Sequence, residues 1–130
     1  MTNRWSEALV TGVEAIDDQH KGIFTRIHNM LKAMSQGGGK DEIIEIIDYV
    51  TLHFKAEEKL MTKHNYVSYS KQRTEHLLFI KDFSRIKREY ETWGVSSHLL
   101  VETQQRLCNW LINHIGNEDK KLGVFLQKCA

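Results

Sequence analysis

Four histidines, His20, His53, His76 and His114, interrupt stretches whose apolar residues otherwise recur three and four apart. Two acids and an amide accompany them. Glu57 stands four residues after His53, Gln72 four before His76, and Asp119 five after His114. Residues four apart on a helix stand one turn apart on the same face, so each such pair offers two donor atoms to one point. At five residues from His114, Asp119 would lie about 140° round a continuous helix, so the helix is expected to end first, at Gly116-Asn117. A lone histidine on an apolar face is usually a hydrogen-bonded core residue; six polar positions turned inward at one level, with Asp119 completing the set, are a different matter. Burying the anions of Glu57 and Asp119 uncompensated would cost many kcal/mol each, and the stripes supply no Lys or Arg to pair with them. A bound cation removes that penalty. Imidazole with carboxylate suits iron, zinc or a similar transition ion, whereas an all-oxygen set would suit calcium or magnesium. The donors exceed what one ion needs and include two carboxylates able to bridge, so two metal ions are expected.

Four long helical segments must position these residues, and nothing reads as an alternating strand of useful length. The first opens after Asp17-Asp18, carries His20, Phe24, Ile27, Leu31 and Met34 on one face and ends at Gly37-Gly38-Gly39. From near Asp41, the second runs Ile43, Ile46, Ile47, Val50, His53, Glu57, Leu60 and Met61. After the turn at His64-Asn65, the third reads Tyr69, Gln72, His76, Phe79, Phe83, Ile86 and Tyr90. Gly94-Val95-Ser96-Ser97 closes it and caps the fourth, which reads Leu100, Thr103, Leu107, Trp110, Leu111 and His114. Leu122, Phe125 and Leu126 form a short tail able to pack back. The expected fold is all-α: an antiparallel up-down-up-down four-helix bundle with an irregular N-terminal arm over residues 1–16 and a short C-terminal helix.

With 130 residues, the chain suits one domain spanning 1–130. Lys+Arg 18 against Asp+Glu 17 gives a net charge of +1, which supplies no basic field for nucleic acid or a membrane surface. At 41% hydrophobic and 27% charged, the composition is that of a soluble globule, and no apolar run approaches the ~18 residues that cross a bilayer. Cytoplasm is the expected location. Cys108 and Cys129 read as two reduced thiols. His28, His64 and His98 read as solvated, and Trp5, Trp93 and Trp110 as packing residues.

The run Asp17-Asp18-Gln19-His20, the His53-x-x-x-Glu57 pair followed by Glu58, the His76 helix with Phe79, and Trp110-Leu111-x-x-His114-Ile115-x-x-x-Asp119 together resemble the hemerythrin family, particularly its single-domain bacterial form. The match covers nearly the whole chain in order. It implies a non-haem di-iron centre, oxo- or hydroxo-bridged, in a non-enzymatic protein that binds dioxygen reversibly for transport, storage or delivery, with an oxygen-consuming enzyme as a partner. By the same resemblance His20 and His53 would hold one iron, His76 and His114 the other, and Glu57 and Asp119 would bridge them. Leu111 would shield the oxygen pocket, whose apolar lining comes from Phe24, Ile27, Val50, Phe79 and Leu107.

One position departs from the family pattern, which has two histidines four apart on the third helix; here the first is Gln72. An amide oxygen is a weaker ligand than imidazole, which leaves the second iron short of a ligand or Gln72 bonding a water in its place. Faster autoxidation is expected, and with it the alternative of a redox enzyme or sensor acting on dioxygen, peroxide or nitric oxide. A ferritin-like oxidase fits poorly, because no histidine has a glutamate three residues before it. An empty or zinc-holding structural bundle is the remaining alternative.

Overall fold

The computed structural model describes residues 5–129, and within it the expected bundle forms. A 3-10 turn, Glu7–Leu9, precedes α1 (Glu14–Ser35), α2 (Lys40–Lys63), α3 (Tyr69–Trp93) and α4 (Ser97–His114); a π-helical turn, Ile115–Asp119, then leads into α5 (Lys120–Lys128). Each long helix touches the next, and α4 closes back on α1. The predicted punctuation holds at most junctions. Gly39 starts α2 at φ 113, a left-handed conformation that side chains resist, and the Ser96 hydroxyl accepts from the Leu99 N–H at 3.0 Å to cap α4.

Two boundaries differ from expectation. α1 begins at Glu14, ahead of Asp17-Asp18, because Asp17 acts from inside the first turn. Its buried carboxylate accepts from the Thr11 N–H at 2.9 Å, the Thr11 hydroxyl at 2.8 Å and the Gly12 N–H at 3.3 Å, which ties the arm to the helix it precedes. The arm is therefore shorter than 1–16, and residues 1–4 lie outside those described. Nor does the fourth helix stop at Gly116-Asn117; it continues through the π turn into α5. A Cβ at Gly123 would collide with the Thr11 carbonyl, so glycine there lets α5 lie against the arm.

The stripes pack two apolar clusters with a polar layer between them. The larger contains Phe24, Ile27, Val50, Phe79, Phe83, Leu107 and Leu111; the smaller contains Ile16, Met61, Tyr66 and Leu122. In α1 His20 falls between Ile16 of the smaller cluster and Phe24 of the larger, and in α2 His53 and Glu57 fall between Val50 of the larger and Met61 of the smaller. Among the described residues, no helix is long and apolar enough to cross a membrane. Cys108 is buried and Cys129 exposed, both free thiols.

Candidate metal centre

All seven predicted site residues, His20, His53, Glu57, Gln72, His76, His114 and Asp119, are buried in the polar layer. Among the described residues, six of them form two groups of four donors, each group lying within 4.8 Å: His20, His53, Glu57 and Asp119, and Glu57, His76, His114 and Asp119. Both carboxylates belong to both groups. Glu57 Oε1 faces His53 Nε2 at 3.4 Å and His76 Nε2 at 3.3 Å, while its Oε2 faces His20 Nε2 at 3.7 Å. Asp119 presents Oδ2 to His20 Nε2 at 3.0 Å and Oδ1 to His114 Nε2 at 3.3 Å.

Asp119 reaches this position through the π turn. Bonding from i to i+5 widens the helix locally, so that a residue five along returns toward the face of the first. An inserted turn, not a break, carries Asp119 across the roughly 140° by which the α-helical repeat would turn it away from His114.

Three of the imidazoles are oriented from behind. His53 Nδ1–H donates to Gln19 Oε1 at 2.6 Å, His76 Nδ1–H to Glu58 Oε2 at 2.9 Å, and His114 Nδ1–H to Glu75 Oε1 at 2.8 Å. Each bond leaves Nε2 turned inward as a free donor atom for a metal. Sequence reasoning missed these supports, yet each follows or precedes a ligand candidate in the chain: Gln19 beside His20, Glu58 beside Glu57, Glu75 beside His76. One helix thus supplies a donor inward and a support to the next helix round the bundle. The circuit stays open at His20, whose Nδ1 has no hydrogen-bond partner. Phe54, also missed, stacks on His76 with centroids 3.9 Å apart and planes at 5°; Trp110 stacks on His114 at 4.5 Å and 12°. Trp110 is therefore packing against a ligand candidate, while Trp93 is exposed. His28 and His98 are exposed as expected, and His64 is half-buried.

Gln72 donates from Nε2 to Asp119 Oδ1 at 3.0 Å, and its Oε1 is buried without a partner. The expected pocket residues Phe24, Ile27, Val50, Phe79, Leu107 and Leu111 all belong to the large core cluster.

The donor set fits a pair of metal ions. Both Glu57 oxygens, Asp119 Oδ2 and the Nε2 atoms of His20, His76 and His114 are buried with no hydrogen-bond partner. Ligand atoms about 2.1 Å from a shared ion, at angles between square and tetrahedral, stand roughly 3.0–3.4 Å apart, close to the N···O separations here. Electrostatics agrees. Burial would lower the pKa of His20, but Asp119 and Glu57 outweigh it and lift it to about 9; His114 rises to about 9 against burial for the same reason, with Asp119 the main partner and Glu75 behind it. Burial would raise Glu57, but the surrounding histidines hold it well below the usual carboxylate range. The layer is a negative site that draws positive charge.

Residues 11–126 match the family described as Hemerythrin HHE cation binding domain. The chain belongs to the hemerythrin family. It is 32% identical over 127 residues to the bacteriohemerythrin of Methylococcus capsulatus, covering 94% of this chain and 95% of that one. It is 34% identical over 119 residues to the bacteriohemerythrin of Pseudomonas paraeruginosa, covering 88% and 75%. A crystal structure of wild-type hemerythrin superposes with a TM-score of 0.82 at 29% identity, covering 95% of each chain. Like other hemerythrins, this chain is a di-iron, oxygen-binding protein.

Proposed function

We propose that this hemerythrin carries dioxygen reversibly on iron held by His20 and His53 on one side and by His76 and His114 on the other, with Glu57 and Asp119 shared. The observation that supports it most is the pair of four-donor groups with both carboxylates in common. Bound there, two irons supply the two electrons that dioxygen takes up on binding and returns on release. The protein's own part is ligation, orientation and dryness. Gln19, Glu58 and Glu75 hold three rings with Nε2 inward. Leu111, one turn before His114, and Phe24, Ile27, Val50, Phe79 and Leu107 keep water from the site, so that protons and solvent do not displace reduced oxygen. No side chain is needed as a general acid or base, which favours a carrier over an enzyme.

Transport or storage for an oxygen-consuming enzyme, in the cytoplasm, is the physiological setting this reading favours; two free thiols suit a reducing compartment. Counting iron in anaerobically reduced protein, then recording the visible spectrum through cycles of air and vacuum, tests the proposal. Two irons per chain and a charge-transfer band that returns on each cycle are expected. Irreversible conversion to the ferric state on first exposure to air would overturn the carrier reading.

A further inference from the structure

Dioxygen must cross the bundle wall to reach a layer this deeply buried, and the large apolar cluster packs Phe24, Val50, Phe79 and Leu111 together on one side of it. On another side lies a cleft between the start of α1 and the end of α2, with a volume of about 350 Å³. A water molecule's share of liquid volume is about 30 Å³, so the cleft has ample room for a diatomic molecule.

Burial of the lining residues grades from outside to inside. Ala15, Lys59 and Lys63 are exposed at the mouth; Ala56, Leu60 and Gln19 are half-buried; Ile16 and Glu57 are buried at the inner end. Glu57 is the residue common to both donor groups, so the cleft ends against the centre of the site. Small side chains account for the opening, because Ala15 and Ala56 leave unfilled the space between facing helices that larger residues occupy elsewhere. Aliphatic walls from Ile16, Leu60 and the two alanines favour a small apolar molecule over water.

We propose that this α1/α2 cleft is the passage by which dioxygen, or another small apolar ligand, reaches and leaves the site. The proposal rests on the oxygen-binding reading. A wall that only gates passage changes the rates of arrival and departure together and leaves the equilibrium alone.

The test places a plug halfway along, Ala56→Phe, and a second at the exposed mouth, Ala15→Trp, which has more freedom to be accommodated should the first variant fold poorly. Dioxygen association and release are measured by rapid mixing on the iron-loaded proteins, and xenon occupancy by diffraction from xenon-pressurised crystals of the same iron-loaded proteins. Xenon should occupy the cleft of the unaltered protein and be excluded from the plugged ones. Both dioxygen rates should fall by about tenfold with the affinity unchanged within about twofold. Xenon exclusion with unchanged dioxygen rates overturns the passage, as does a change confined to one rate. Failure of the unaltered protein to bind dioxygen would refute the functional reading, a result distinct from plugged variants that bind it at the original speed.

Discussion

The two halves of the metal layer are built from the same donors and held by different means. His76 and His114 each donate from Nδ1 to a carboxylate, Glu58 and Glu75, and each lies flat against an aromatic plate, Phe54 and Trp110. On the other side, His53 leans on the neutral amide of Gln19, and His20 Nδ1 has no partner. A carboxylate behind an imidazole fixes its orientation and raises its basicity, whereas a neutral amide fixes the orientation and raises the basicity less. In the proposed ligand set equal counts therefore conceal unequal histidines, and the His76–His114 half should keep its iron longer.

Stripping the iron tests this most severely. With the metal gone, Glu57 and Asp119 are buried anions answered by protonated His20 and His114 and, at Asp119, by the Gln72 amide, so the metal-free protein should be less stable by about 3 kcal/mol or more. Scanning calorimetry should show the midpoint falling by roughly 10 °C. Chelation followed by iron counting should reveal an intermediate holding one iron per chain. Loss of both irons in a single step would show the halves to be equivalent.

Altering the supports sharpens the comparison. Glu58→Gln and Glu75→Gln should each weaken iron binding by about 10–100-fold, the usual range for an outer partner. Gln19→Glu gives His53 the carboxylate that its counterparts have and should slow release from the weaker half, measured by the same chelation kinetics. Faster release after Gln19→Glu would remove the basis of the contrast.

Asp17 provides a control outside both halves. It is three residues before His20, yet its carboxylate serves the arm, through Thr11 and Gly12. Asp17→Ala leaves buried N–H groups unsatisfied and should lower stability by about 1–3 kcal/mol in denaturant titrations. The ratio of the two iron release rates should stay as it was; a change in that ratio would mean that the arm helps hold His20.

Gln72 bears on the better-held half from the other direction. Its amide is spent on Asp119 Oδ1, where the family pattern places an imidazole. Gln72→His should slow autoxidation of the oxygenated protein by roughly fivefold, corresponding to about 1 kcal/mol of barrier. Equal rates, read from decay of the visible band, would separate Gln72 from redox stability.

Much of this was legible in the sequence because bundle and site depend on the same periodicity. Apolar stripes betray four helices, and polar residues that interrupt a stripe must face inward with the rest, so His20, His53, Glu57, Gln72, His76 and His114 announce themselves. Asp119 was found as a ligand candidate but misplaced in mechanism, since Gly116-Asn117 reads as a stop and no residue pattern marks a π turn. The α1 boundary was hidden for a tertiary reason: Asp17 looks like a cap and instead holds the arm. Gln19, Glu58 and Glu75 lie on helix flanks where charged residues are ordinarily solvated, and only the neighbouring helix gives them a histidine to hold.

Farther along the bundle, a surface network offers the smallest effect and a check that the others are local. Arg85 donates from one guanidinium nitrogen to Glu102 at 2.8 Å, and Arg106 donates to Asp82 at 2.9 Å. The bond from Arg85 holds the Glu102 carboxyl below its ordinary value, against the modest opposing effect of burial. A carboxyl lowered on folding contributes stability that is present above its unfolded pKa and fades as pH falls toward the folded one. Arg85→Met should therefore lower stability by about 0.5 kcal/mol near neutral pH, because the pair is partly exposed to solvent. Below about pH 4, where a free carboxylate takes up its proton, the difference from the unaltered protein should shrink. At each pH tested, iron release from the variant should match that from the unaltered protein. Were Arg85→Met to change the release rates, the two ends of the bundle would be coupled, and the contrast between its halves would no longer belong to the ligands alone.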